Sequence, residues 1–378
     1  MTFDTIILGL GAMGSSTADE LAQRGQRVLG FDRHEPPHTF GSTHGKSRII
    51  RLAYMEDPAY VPLLRRAYER WSDLESASGR KLLQVTGGLM IGGVDSTAVH
   101  GSRASAEEHG LPHQMLDAAE VRRRFPEFHL PSDHLALYEE IAGVLVPEAC
   151  IEVYMGRART AGAELRTNTV VDAWEVVGDQ VRVSAQGQEY VANQLVIAAG
   201  PWAETLLPAH APSLQVTRQV MHWFQPASNV ANFQADRFPV YVWEPPEGDV
   251  FYGFPALDGP TRGVKIAIHH GGEPTTVADL DREVLPHDVR RIKNCMNERM
   301  PALAAGEWME GAVCPYTNTP DEHFILGTHP EHENVHLASG FSGHGFKFAS
   351  VVGEILADLV TAGSSQLPID LFSPGRFS

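Results

Sequence analysis

"DTIILGLGAMGSSTADELAQRGQRVLGFDRHEPP", residues 4–37, decides the fold. Thr5 to Leu8 is a short apolar run with β-branched members, stopped by Gly9. From Ala12 onward, Ala18, Leu21 and Ala22 recur near helical spacing, and Gly25 stands where a helix commonly ends on left-handed backbone. A second apolar run, Arg27 to Phe31, ends in Asp32. The stretch predicts strand, turn, helix and strand. Gly9, Gly11 and Gly14 form G-x-G-x-x-G between the first strand and the helix. The first glycine permits the tight turn, the second lets main chain approach a pyrophosphate, and the third lets helix and strand pack closely. Free N–H groups at the helix N-terminus then face phosphate charge. Asp32, 23 residues after Gly9, falls where a carboxylate accepts ribose hydroxyls, which favours NAD or FAD over NADP.

At 378 residues the chain is long for a single core, so about two domains are expected. Hydrophobic residues at 43% and charged residues at 20% describe a globular protein. The net charge of −17 argues against a nucleic-acid partner, which calls for a basic face. Three widely spaced cysteines, Cys150, Cys295 and Cys314, make neither a disulfide framework nor a C-x-x-C pair, which fits a reducing cytoplasm. The first residues lack a basic signal-peptide region, and no apolar run reaches the ~18 residues of a membrane span. No H-E-x-x-H or Cys/His cluster predicts a metal. His329, His332 and His336 in "HPEHENVH" tempt such a reading, but the turn between them favours surface histidines.

Beyond the fingerprint, "EPPHTFGSTHGKSRIIRLAYME" (35–56) is too polar and irregular to be the next helix of a simple nucleotide-binding half. A helix follows it, with Asp57 as N-cap, Pro58 at the first turn, and Leu64, Ala67, Tyr68, Trp71 and Leu74 on one face. "VRVSAQGQEYVANQLVIAAGPW" (181–202) predicts two short strands turning near Gly187, then an apolar strand, Leu195 to Ala198, ending at Gly200. In "VKIAIHH" the strand Val264 to Ile268 carries a lysine among apolar residues. Alternation puts Lys265, Ala267 and His269 on one face and turns His270 the other way. Residue type alone leaves Cys314, in "GAVCPYTNTPDEHF" (311–324), open to core filling, metal ligation, nucleophilic chemistry or attachment, with core filling the common fate of a free thiol.

Three stretches, "PPHTFGSTHGKSRIIRLAY", "GAVCPYTNTPDEHF" and "SGFSGHGFKFAS", together resemble the monomeric sarcosine oxidase and N-methyltryptophan oxidase family of D-amino-acid-oxidase-like flavoproteins. The resemblance runs from Asp4 to about Asp370. It implies FAD as cofactor, with Cys314 bonded to the flavin 8α-methyl. It places Ser42, Thr43, His44 and Arg48 in a loop over one flavin face. Val171, Gly200, Gly343 and His344 join the cofactor-binding set, and so does Lys347. Arg51 matches the arginine that grips a substrate carboxylate, with Lys347 as its partner. Two cations on one carboxylate make physical sense, the guanidinium as a planar fork and the ammonium as a point charge. Lys265 matches a lysine near flavin N5 that promotes oxygen reduction, where a buried cation stabilises superoxide-like charge. His269 matches an active-site histidine, and Tyr252 and Tyr316 match tyrosines around the substrate. The turn "GFPALDGPTRGVK" (253–265) departs from the family in looking slightly longer, which puts substrate size in question.

The implied fold is α/β (α+β): a Rossmann-like, glutathione-reductase-type FAD domain with a second, β-sheet-rich substrate domain. Residues 1–85, 141–205 and 311–378 are assigned to the first, and 86–140 and 206–310 to the second. The helix after "GFSGHG" is expected to stabilise charge at the flavin N1–C2=O locus through its N-terminus. The expected activity is oxidation of a secondary amino acid such as sarcosine by O2, giving hydrogen peroxide, in a monomer. N-methyl-L-tryptophan, pipecolate or proline-like amines and sugar-amine adducts are alternative substrates. An NAD-dependent dehydrogenase and a non-catalytic FAD-binding sensor are the alternatives of another kind.

Overall fold

The computed structural model describes residues 2–207, 214–259 and 261–377. The expected opening unit forms as strand Thr2–Leu8, helix Ala12–Gln23 and strand Val28–Phe31. The helix closes where Gly25 takes φ +80° and donates its N–H to Ala22 O at 2.9 Å. Thr2–Leu8 runs parallel between Val28–Phe31 and Gln188–Ile197. Glu164–Arg166 and His332–Ser339 extend the parallel set on either side. Strand alternation sends Ile7, Val28, Val196 and Ala338 toward helices Ala12–Gln23, Pro147–Thr160 and Ala349–Ala362. Ile6, Leu8, Leu29, Phe31, Leu195 and Ile197 fill a separate cluster on the opposite face. Burial on both faces explains why these strands read as nearly unbroken apolar runs.

Gln188–Ile197 is one continuous strand, not a hairpin strand followed by a separate one as its sequence predicts. Its first half pairs antiparallel with Gln180–Ala185, and its second half pairs parallel with His332–Ser339. The partner changes while the backbone runs through.

A nine-stranded sheet forms the second layer. Gln215–Gln225 pairs antiparallel with Glu307–Asn318 along its whole length, and with Val264–Ile268 and Glu273–Thr275 at its other edge. Lys265 therefore stands opposite Trp223, and Cys314 opposite Gln219. The β-rich stretches 86–140 and 206–310 also carry helices Thr97–Glu108, Ala118–Arg124 and Pro286–Met296.

Between the two layers lies a three-stranded sheet of Arg48–Ile50, Leu83–Val85 and Gly143–Leu145. Its first strand falls within the polar stretch 35–56, and it sets Arg48 and Arg51 in place. Asp57 caps as expected, accepting the Ala59 N–H at 2.8 Å. The turn it caps is 3-10, Pro58–Tyr60, and the α-helix Val61–Ser78 follows. That helix buries Leu64, Ala67, Trp71 and Leu74.

Candidate active site

Two cavities meet at the junction of the layers. The first is a long cleft over the ends of the parallel strands, with about 1370 Å³ of empty space counting its open mouth. Gly9, Gly11, Asp32, Ser42, Thr43, Val171, Gly200 and Gly343 all line it. Gly14 does not, and its job is packing. A Cβ there would lie 1.8 Å from Gly9 O, while one on Gly9, already at φ +92°, would lie 2.5 Å from Ala198 O. Asp32 is tied down at the cleft's edge, its Oδ2 accepting the Leu10 N–H at 2.8 Å and its Oδ1 the His34 N–H at 2.9 Å. Thr317 and Ser339 also line the cleft, and their buried hydroxyls have no hydrogen-bond partner among the described residues.

The second cavity, about 550 Å³ with its mouth, shares Arg48, Tyr316, Gly343 and Phe346 with the first. Arg51, Tyr252, His269 and Lys347, expected near the substrate, line it; His344, expected at the cofactor, lines this cavity and not the first, and His44, Lys265 and Cys314 line neither. These residues come from the short sheet, the large sheet and the turn before Ala349–Ala362, so their convergence is a tertiary product. Met55, Glu56, Val242 and Phe254 also line it and went unnamed in the sequence reading. Glu56 had one signal: Asp57 already serves as the cap, which leaves the neighbouring acid without a helical role.

Arg51 is only 3% exposed. Its Nη2 pairs with Glu56 Oε2 at 2.8 Å and its Nη1 donates to Ala53 O at 2.6 Å. Burial works to raise the Glu56 pKa, but Arg51, then His344, Lys347 and His269, hold it down to about 2. Lys347 Nζ donates to His344 O at 2.7 Å. Burial and then Arg51 bring its pKa down to about 7, against a smaller pull from Glu56. His269 is held neutral, its pKa pushed well below the ordinary value by burial and then by His270. His270 does not turn away as strand alternation predicts. The strand ends at Ile268, His270 adopts φ +63°, and its ring lies 4.1 Å from that of His269 and 6.1 Å from Tyr316. The Tyr252 and Tyr316 hydroxyls are 3.3 Å apart.

Lys265 and Cys314 stand behind the loop that holds Thr43, His44 and Arg48. The Lys265 ammonium, 1% exposed, donates to Gly45 O and Ser47 O, each at 2.8 Å. Burial and then Arg48 push its pKa well below the ordinary lysine value. His44 is buried with its Nε2 unpartnered among the described residues, and burial and then Arg48 lower its pKa to about 3. Arg48 donates from Nη1 to Ser47 O and from Nη2 to Ser42 O, both at 2.8 Å, and its Nη2 lies 3.8 Å from Cys314 Sγ. Burial raises the Cys314 thiol pKa, while Arg48, Lys265 and Arg282 draw it back.

Of the three histidines in 329–336, His329 and His336 are not surface groups as expected, while His332 is partly exposed. His329 is 3% and His336 1% exposed, and His336 bonds Gln194 Oε1 at 3.0 Å. Their strands, Ile325–His329 and His332–Ser339, form a hairpin against the parallel sheet, which buries them.

Residues 4–359 match the model of the FAD-dependent oxidoreductase family, and the chain belongs to that family. It is 46% identical over 378 residues to monomeric sarcosine oxidase of Streptomyces avermitilis, covering 100% of this chain and 98% of that protein. It is 36% identical over 383 residues to N-methyl-L-tryptophan oxidase of Escherichia coli, covering 100% of both. In fold it is similar to L-proline dehydrogenase from P. horikoshii, with a TM-score of 0.87 at 22% identity over 100% of this chain and 98% of that one.

The residues present fit FAD. Main chain at Gly9 and Gly11, the Asp32 carboxylate and the two unpartnered hydroxyls of Thr317 and Ser339 offer the donors and acceptors such a dinucleotide needs. Gly14→Ala is expected to abolish cofactor retention, because the new methyl forces the helix off the strand. Overpacking of this kind costs about 1–3 kcal/mol or more. The purified variant should be colourless and melt earlier than wild type. A yellow variant of unchanged Tm would refute the packing role.

Proposed function

We propose that this chain is an FAD-dependent oxidase of secondary amino acids, with sarcosine as the leading substrate. The observation that carries the reading is the pair of buried cations, Arg51 and Lys347, on one cavity that adjoins the cofactor cleft. The relatives named above support the same chemistry. For sarcosine, the amino acid, O2 and water would give glycine, formaldehyde and hydrogen peroxide. FAD, when bound, supplies the two-electron acceptor. The protein supplies placement and charge.

Arg51 and Lys347 take the carboxylate, which has to share or replace the Glu56 contact on Arg51. Neutral His269 and the Tyr252–Tyr316 hydroxyl pair surround the amine end without adding positive charge. Arg48 ties the Ser42–Ser47 loop to the Cys314 strand. Lys265 is the cation for oxygen reduction, and Cys314 is the point of covalent flavin attachment. The helix after Lys347 serves the flavin N1–C2=O locus through its N-terminus. We assign 1–85, 141–205 and 311–378 to the FAD domain and 86–140 and 206–310 to the substrate domain, a boundary that the strand Glu307–Asn318 crosses. We further infer a cytoplasmic monomer. Among the described residues no helix is long and apolar enough to cross a membrane.

The reading is tested by incubating holoenzyme with sarcosine, N-methyl-L-tryptophan, pipecolate and a sugar-amine adduct. Sarcosine is expected to give peroxide and formaldehyde in equal amounts. A stronger response to the tryptophan derivative moves the assignment to that substrate. Silence across the panel overturns the oxidase reading and favours a sensor.

A pH dependence follows from Lys347. Its folded pKa, about 7, lies below the ordinary lysine value, so its positive charge is lost as pH rises through that point. Affinity for acetate, a carboxylate without an amine of its own, should fall as pH rises above about 7. A flat or rising affinity between about pH 6 and 9 would count against the clamp.

A further inference from the structure

We propose that Tyr54 is the positioning residue of the carboxylate clamp, holding Arg51 and Lys347 beside one another through one buried ring and one directed hydroxyl. The inference rests on the clamp assignment made above. Tyr54 is 0% exposed, and it touches both cations. The Arg51 guanidinium carbon lies 4.4 Å and the Lys347 ammonium 5.0 Å from its ring centroid, inside cation–π range for each. Two like charges held this close repel. Glu56 offsets part of that repulsion at Arg51, and the negative face of the ring offsets more of it beside both cations without an ion pair.

The hydroxyl is aimed by a chain of hydrogen bonds. His344 Nε2 lies 3.0 Å from the Glu322 carbonyl, which can only accept, so Nε2 carries the proton. Burial, against the pull of Glu56, brings the His344 pKa down to about 3, so the ring is neutral and Nδ1 is a bare acceptor. Tyr54 OH is 2.6 Å from that Nδ1 and must donate to it. The phenol oxygen is then left to accept, and Lys347 Nζ lies 3.4 Å away. His344 O takes a second Lys347 proton at 2.7 Å. Of the three ammonium protons, one remains to meet a substrate oxygen. The groups facing Lys347 are Arg51, Glu56 and Tyr54 from the chain after the short strand, and His344 from its own turn. His269, Tyr252 and Tyr316 line the same cavity.

Tyr54→Phe keeps the ring and removes the acceptor. Tyr54→Leu removes both. Acetate binding to holoenzyme, measured by calorimetry against pH, separates the two contributions. Tyr54→Phe should weaken binding about fivefold at low pH. Loss of the acceptor destabilises the ammonium, so the pH at which binding fades should drop by about one unit. Tyr54→Leu should bind more weakly still at every pH, and in turnover both variants should raise KM far more than they lower kcat. If Tyr54→Leu does not fold, Tyr54→Phe decides alone. Wild-type affinity and an unmoved pH midpoint in Tyr54→Phe overturn the role given to Tyr54. Binding that survives Arg51→Ala overturns the clamp itself, a separate failure that the same titrations would reveal.

Discussion

Lys265→Met is expected to slow reoxidation of the reduced enzyme by O2 about 10²–10³-fold while leaving anaerobic reduction by substrate within severalfold. The magnitude is that of losing one preorganised stabiliser of developing charge in a water-poor site. Lys265 suits the task because nothing neutralises it: it forms no ion pair among the described residues, and its donors go to two carbonyls, Gly45 O and Ser47 O. The faces of Phe254 at 4.6 Å and Trp223 at 5.7 Å complete its surroundings. Burial makes its positive charge costly, so a negative charge forming nearby is met by a group already biased to answer it. Methionine keeps the length and fills the space, but leaves both carbonyls without their donor. Each such loss costs about 1–3 kcal/mol, so a lower Tm is expected as well. Stopped-flow measurement of the two half-reactions separates charge from scaffold. If the Ser42–Ser47 loop has collapsed, reduction by substrate slows too, and equal losses in both halves would defeat the oxygen role.

The second large effect is qualitative. In Cys314→Ser the flavin should remain bound in the native protein and pass wholly into the supernatant on acid precipitation, whereas wild-type flavin should stay with the pellet. Cys314 is 2% exposed, in the strand beside cleft-lining Pro315 and Tyr316, and Arg48 lies against its sulfur. Its thiol is raised by burial, so Arg48, Lys265 and Arg282 are the groups that make a thiolate reachable there. The other two cysteines lack that setting. Cys150 is 1% exposed inside helix Pro147–Thr160, and Cys295 lies in Pro286–Met296 with its pKa raised by burial to about 11. Serine preserves volume but is a far poorer nucleophile toward the flavin methyl. Flavin that stays in the Cys314→Ser pellet would place the link on another residue. Wild-type flavin that leaves on precipitation would remove the covalent claim and keep the fold.

The opening unit was legible from the residues alone, because its signals are local. Gly9, Gly11, Gly14, Asp32 and the Gly25 stop act within a few residues of where they stand, and apolar periodicity marked the strand and helix between them. The cap at Asp57 and the buried face of the helix after it were legible for the same reason. The expected site residues rest on three stretches resembling one family; composition and spacing alone left Cys314 undecided. What depends on partners distant in the chain became visible only in the folded molecule. His270 faces its neighbour because the strand ends at Ile268, two residues before it, and the backbone turns to φ +63° at His270, so alternation no longer applies there. His329 and His336 are buried because a hairpin folds onto a sheet begun some 330 residues before it. Glu56 on Arg51, and Tyr54 beneath both cations, arise where the short sheet meets the turn before Ala349–Ala362. No pattern along the chain encodes such contacts, since a side chain's charge and hydrogen-bond roles are set by what the fold brings against it and by how much water the fold leaves there.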